Sequence, residues 1–181
     1  MARVCGVRRP LLASPRCAKN GIDVAARKKG AGARVTDRPK GWSGLNEGDL
    51  VVVDSAPLIY LLDDHPEFGP RFEGLFQAYE RGALQIAIST IAIAEVLAGP
   101  FKHGQDVLAK RYERALSGFE VVPVSQEIAV TAARLRASTG LRLPDALQAA
   151  TALEVGAVAL ITHDRDFSRL QGLRIILGES A

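Results

Sequence analysis

From Leu50 onward the chain alternates short apolar runs with amphipathic segments. Leu50–Val53 is apolar at every position and predicts a buried strand, followed by a helix over Ala56–Leu62. Phe68, Phe72, Leu75, Phe76 and Tyr79 recur at helical spacing and predict a helix over Pro66–Arg81. Leu84–Ile88 reads as the next strand, and Ile91–Leu97 as a helix halted by Gly99-Pro100. A charged amphipathic helix is expected over Asp106–Leu116, with Val107, Leu108, Tyr112, Ala115 and Leu116 along one side. Glu120–Val124 predicts a third strand, and Ser125 caps a helix through Ala137 whose Ile128, Val130 and Leu135 face inward. Pro144 opens a helix running to about Val155. Val158–Thr162 is a fourth strand, Asp166–Leu170 a short helix and Leu173–Leu177 a last strand. Strands apolar on both faces and separated by helices imply a sheet covered on both sides. The expected fold class is α/β, a three-layer α/β/α sandwich with a mostly parallel sheet. No apolar run approaches the roughly 18–20 residues that cross a bilayer, so no membrane span is expected.

Residues 1–49 break this rhythm. They mix Gly, Pro, Arg and Lys without periodicity, as in Arg8-Arg9-Pro10 and Arg27-Lys28-Lys29-Gly30. Too little apolar surface is present there to offset ordering the chain. The expectation is therefore a disordered basic extension over 1–49 and one domain over 50–181. Charge sharpens the division. Residues 1–49 hold 11 Lys/Arg against 4 Asp/Glu, and residues 50–181 hold 12 against 16, within a net charge of +3. The basic balance belongs to the extension and gives no ground for treating the domain as a basic nucleic-acid binder. A basic arm towards RNA, an Arg-rich presequence and an over-extended start all fit the extension. The abrupt onset of apolar pattern at Leu50 favours the over-extended start. Both cysteines, Cys5 and Cys17, lie in the extension without a Cys or His partner at metal-ligand spacing. No disulfide framework exists, which fits a cytoplasmic location. At 48% hydrophobic and 24% charged, the composition excludes a wholly disordered chain.

Most acids of residues 50–181, such as Glu73, Glu80, Glu113 and Glu127, fall on polar helix faces. Four others do not. Asp54 follows Val51-Val52-Val53 and Asp164 follows Ala159-Leu160-Ile161-Thr162, each at the carboxyl end of a strand. Carboxyl ends of parallel strands line the ligand crevice, so the two should converge. Glu95 interrupts the apolar stretch from Ile86 to Ala98, where a lone carboxylate is costly to bury. Asp145 opens the Ala-rich helix after Pro144. Each has an ordinary reading alone: Asp54 as a helix cap, Asp145 as a first-turn charge favoured by the helix dipole, Glu95 paired with an arginine such as Arg142. Together, clustered carboxylates in a dry crevice repel one another, and a hard divalent cation relieves that. An all-oxygen donor set suits Mg²⁺ or Mn²⁺ rather than zinc, and such a site suits phosphoryl chemistry.

Residues 50–178 resemble a PIN domain of the small bacterial toxin-ribonuclease type (VapC-like). Val51-Val52-Val53-Asp54-Ser55-Ala56 is similar to the family's opening strand with its first aspartate. The stretch Ile88–Gly99 resembles the segment carrying the glutamate, and Leu143–Leu153 the helix bearing the third acid. Leu160-Ile161-Thr162-His163-Asp164-Arg165-Asp166-Phe167 resembles the closing strand and turn. The resemblance implies a Mg²⁺-dependent endoribonuclease, Mn²⁺ serving as an alternative, that leaves a 5′-phosphate and a 3′-hydroxyl. Asp54, Glu95, Asp145 and Asp164 would be its catalytic, metal-binding quartet and Asp166 a fifth carboxylate. Ser55 and Thr162 would orient carboxylates or water. One departure is Ala92, where relatives often carry Thr or Ser. His163 is expected to be non-catalytic. The resemblance also implies an RNA substrate, a homodimer and a small cognate antitoxin blocking the acidic crevice. Arg71, Lys102, Lys110, Arg111, Arg114 and Arg165 are candidates for drawing RNA to the rim.

Two other classes begin similarly. A phosphoaspartate enzyme wants a second Asp two residues after the first, but Asp54-Ser55-Ala56 has none. A receiver-like signalling domain wants a lysine after a late strand, and no lysine follows Lys110. A PIN fold kept only as a binding module usually lacks acids, whereas all four positions are filled here.

Overall fold

A computed structural model of the chain describes residues 41–178. Residues 1–40, with both cysteines and most of the basic segment, and residues 179–181 lie outside the described residues. Five strands, β1 (Leu50–Val53), β2 (Gln85–Ser89), β3 (Glu120–Val122), β4 (Ala159–Ile161) and β5 (Ile175–Ile176), form one sheet in the order β3-β2-β1-β4-β5. Every pairing is parallel, with Val51 opposite Ile86 on one side of β1 and Val52 opposite Leu160 on the other. The helices are α1 (Ser55–Leu62), α2 (Gly69–Glu80), α3 (Thr90–Lys102), α4 (Asp106–Leu116), α5 (Gln126–Thr139) and α6 (Leu143–Glu154). Among the described residues, no helix is long and apolar enough to cross a membrane.

The uninterrupted apolar run of β1 follows from its position. Alternate side chains point to opposite faces, and both faces are covered. Val51 and Val53 join Leu58 of α1, Phe72 and Leu75 of α2, Val96 of α3 and Leu116 of α4. Leu50 and Val52 join Ile128 of α5 and the alanines of α6 on the other side. The three-layer α/β/α arrangement is thus the one expected.

Several local expectations need correction. The helix expected to stop at Leu97 runs through Gly99 and Pro100 to Lys102. Pro100 lies in the last turn, where it forfeits one backbone bond, and its ring is buried. Its carbonyl still accepts from the backbone N–H groups of His103 and Gln105. The second helix begins at Gly69, so Pro70 rather than Pro66 occupies its first turn. Before it, the Nδ1 of His65 accepts from the N–H groups of Glu67 and Phe68 and holds the preceding turn. Val107 and Val130 do not face inward and are 77% and 44% exposed. Each lies two residues from a buried position, Ala109 or Ile128, which is about 200° around a helix. The third strand ends at Val122, before Pro123, which has no N–H to continue the ladder.

Ordered chain also begins before Leu50. Leu45 is fully buried in the core, and Trp42 packs against it from a single 3₁₀ turn, Trp42–Gly44. The guanidinium of Arg174 donates to the carbonyls of Ser43 and Gly44, tying this entry segment to the residue that leads into β5. Residues 41–49 therefore belong to the folded body rather than to the extension.

Candidate active site

From β1 the chain builds outward to β2 and β3, then returns to the other side of β1 for β4 and β5. The order reverses between β1 and β4, and a crevice opens at the carboxyl end of such a switch point. Asp54 and Asp164 follow these two strands. The Asp54 N–H donates to the Ile161 carbonyl at 2.9 Å, so the β1–β4 ladder itself sets where Asp54 sits.

Asp54 is only 6% exposed and is held at both carboxylate oxygens. Its Oδ1 accepts from the Ser55 backbone N–H at 2.7 Å and, more weakly, from the Ser55 hydroxyl at 3.4 Å. Its Oδ2 accepts from the Thr162 hydroxyl at 2.7 Å. Asp54 is thus both the cap of α1 and a residue of the crevice. Thr162, fully buried, also accepts the Asp164 N–H at 3.0 Å. One hydroxyl therefore fixes the positions of two of the expected acids. The Oδ1 of Asp164 accepts from the Asp166 N–H at 2.8 Å and opens the 3₁₀ turn Arg165–Arg169. The carboxylate of Asp166 instead pairs with Arg169 at 3.2 Å, on the surface.

Asp145 enters from the first turn of α6 and Glu95 from the middle of α3. Both are partly buried. Burial raises the Asp145 carboxyl above its ordinary value, the charges of Asp54 and Asp164 add to the rise, Arg142 opposes it, and Asp166 adds a smaller push. Burial likewise raises Asp54. Thr162 and the Ser55 backbone pull it back, and the charge of Glu95 raises it further. Asp54 is thus linked electrostatically to both Glu95 and Asp145, and Asp145 to Asp164 as well. Arg142 acts on Asp145, and among the described residues no ion pair joins it to Glu95. Glu95 instead accepts from the side-chain amide of Gln148 at 3.4 Å.

Gln148 went unnoticed in the sequence, although a polar residue inside the run Ala146-Leu147-Gln148-Ala149-Ala150 is a signal. It is fully buried, and its Oε1 accepts from the Ser89 hydroxyl at 2.7 Å. Ala92 is fully buried, its N–H taken by Ser89. His163 lies beside the crevice but packs into aromatic rings, 4.6 Å from Phe68 and 5.4 Å from Tyr60 between centroids. Its Nδ1 is hydrogen-bonded to the Tyr60 hydroxyl at 2.7 Å. Of the rim cations, Arg165 is exposed beside Asp164, and Arg71 lies over the Phe68 ring at 5.6 Å. Lys102 ends α3, and Lys110, Arg111 and Arg114 are exposed on α4.

Among the described residues, no three His, Cys, Asp or Glu side chains close to the distances of a formed metal cage. The donor set nonetheless fits a hard divalent cation. All its donors are oxygens, and two carboxyls are raised by burial and by neighbouring acids, Asp54 by Glu95 and Asp145 by Asp54 and Asp164, a penalty that bound positive charge would remove.

A family model described as PIN domain matches residues 51–173. Among solved structures, the chain is similar to a toxin–antitoxin complex from Klebsiella pneumoniae at 35% identity. That match covers 70% of this chain and 95% of the other, with a TM-score of 0.54. It also shares its fold with VapBC2 from Rickettsia felis bound to a promoter DNA fragment (22% identity, 70% and 97% covered, TM-score 0.59). A third neighbour is Mycobacterium tuberculosis VapC20, a sarcin–ricin-loop-cleaving toxin (14% identity, 65% and 92% covered, TM-score 0.54). No curated protein matches the chain. With the matching segment spanning the switch-point crevice and every strand but β5, this chain belongs to the PIN-domain family.

Proposed function

We propose that this protein is a divalent-metal-dependent endoribonuclease and the toxin half of a toxin–antitoxin pair. One observation carries the nuclease reading. Acids from the ends of β1 and β4, from α3 and from α6 are linked by charge in a series, Glu95 acting on Asp54 and both Asp54 and Asp164 on Asp145, at the switch point of a parallel sheet. The toxin reading is supported by the Klebsiella relative, 35% identical, which is part of a toxin–antitoxin complex. A cognate antitoxin, a homodimer and a cytoplasmic location belong to the same proposal.

Asp54, Glu95, Asp145 and Asp164 would hold Mg²⁺ or Mn²⁺, with Asp166 as a further carboxylate available when it leaves Arg169. The cation, when bound, supplies positive charge to the phosphate oxygens and makes water a stronger nucleophile. The chain supplies orientation. Thr162 and Ser55 fix both oxygens of Asp54, and Thr162 also fixes the backbone of Asp164. The acids repel an RNA backbone, so approach depends on rim cations such as Arg165 and weakens with salt.

The test incubates the purified full-length protein with total RNA in Mg²⁺, Mn²⁺ or chelator, beside Asp145→Asn. Discrete products that need metal and vanish in the variant support the reading. Cleavage surviving the substitution, or a folded protein that binds metal and cleaves nothing, contradicts it, the second favouring a PIN fold used only for binding.

A further inference from the structure

We infer that Gln148 is a positioning residue for the metal centre, setting the orientation of Glu95 through a buried relay that begins at Ser89. This inference rests on the metal-dependent reading above. The relay joins three elements: Ser89 ends β2, Gln148 lies on α6 and Glu95 on α3. Ser89 and Gln148 are both fully buried, so each polar atom there needs a partner within the protein.

The direction of the relay is fixed by its two ends, a capping hydroxyl and an acceptor-only carboxylate. The Ser89 oxygen accepts the Ala92 N–H at 3.2 Å as the cap of α3, which leaves the hydroxyl proton to be donated. It goes to the Gln148 Oε1 at 2.7 Å. With its carbonyl committed to Ser89, the Gln148 amide turns its NH₂ towards Glu95, whose Oε2 accepts at 3.4 Å. A flipped amide could still donate to the second lone pair of the Ser89 hydroxyl, but it would set its carbonyl against the Glu95 carboxylate, losing that bond and meeting repulsion. Glu95 is therefore held by one oxygen, Oε2, and among the described residues no hydrogen bond engages its Oε1. Asp145 is on the same helix three residues before Gln148, so one rigid helix places an acid and the group that orients another acid.

A merely structural glutamine would affect stability alone. A positioning glutamine also changes cation affinity, and loss of such an outer partner typically costs about 10–100-fold. Mn²⁺ binding to the full-length protein is measured by titration calorimetry, beside thermal melting in chelator. The variants are Gln148→Met, which keeps the volume, and Thr151→Val as control. Thr151 is fully buried on the same helix, and among the described residues its hydroxyl bonds only to the Leu147 carbonyl at 2.7 Å. Gln148→Met is expected to weaken Mn²⁺ binding roughly 10-fold, and Thr151→Val to leave it unchanged at comparable loss of melting temperature. In a Glu95→Gln background, Gln148→Met should have no further effect on affinity. Unchanged affinity in Gln148→Met, an equal loss in Thr151→Val, or an additive loss in the Glu95→Gln background would each overturn the assignment while leaving the nuclease reading intact. A wild-type protein that binds no Mn²⁺ would overturn both.

Discussion

Thr162→Val keeps the shape of a fully buried side chain and removes the hydroxyl that holds two acids. The lost bond to Asp54 Oδ2 is 2.7 Å long and ends on a carboxylate that is 6% exposed, so little water can replace it. A hydrogen bond to a charged group of this kind is worth about 1.5–3 kcal/mol. The second loss, the acceptor for the Asp164 N–H, adds less because Asp164 is exposed and water can substitute. The expected destabilisation is about 2–3 kcal/mol, or a melting temperature lower by roughly 5–10 °C for a domain of this size. The deficit should also depend on pH. Burial holds the Asp54 carboxyl above its ordinary value of 3.8, so the folded state binds that proton more tightly than the unfolded chain does. Its contribution to stability therefore falls as pH rises through 3.8 and on through the raised folded value. The Thr162 bond is the strongest force opposing that rise. Removing it leaves the ionised form worse off, so the deficit should be greatest above the raised folded value and shrink as the solution is acidified towards 3.8. Urea denaturation in chelator at several pH values measures this directly. A loss below about 0.5 kcal/mol, or one that does not vary with pH, would refute the reasoning.

Asp145→Asn should raise the melting temperature of the metal-free protein at neutral pH, because burial and the charges of Asp54 and Asp164 disfavour its ionised form in the fold. The same variant should lose most of the melting-temperature gain that saturating Mn²⁺ gives the wild type, as differential scanning fluorimetry would show. Gly74→Ala would place a Cβ 2.4 Å from Cδ1 of Trp42, the chain's one tryptophan. Overpacking there should cost about 1–3 kcal/mol and shift the emission of that single fluorophore, so unchanged emission and stability would show that the entry segment does not pack as described.

The sheet was legible because strands buried on both faces leave no polar position, and Val51-Val52-Val53 and Ala159-Leu160-Ile161 carry that pattern openly. The acids were legible for a related reason, since Asp54 and Asp164 interrupt apolar runs where a parallel sheet opens its crevice. What went unread depends on contacts that local pattern does not encode. Trp42 and Leu45 sit in a short segment with no periodicity, and burial of Leu45 in the core with contacts to Gly74, Ala83 and Arg174 makes it part of the body. Pro100 reads as a stop, yet a last turn forfeits little, and burial of the ring accompanies it. Val107 and Val130 show that an apolar residue two positions from a buried one lies on the far side of a helix. Gln148 was hidden by its neighbours, because the alanines around it mark a core helix while the partners that explain it come from β2 and α3.

The central claim is that the strand-end acids form one cation centre, and anomalous scattering from crystals grown with Mn²⁺ tests it most directly. The account predicts a peak bound by Asp54 and by at least two of Glu95, Asp145 and Asp164 through their carboxylate oxygens, as a hard cation requires. A protein that cleaves RNA while showing no peak at these residues, or a peak elsewhere, would contradict it.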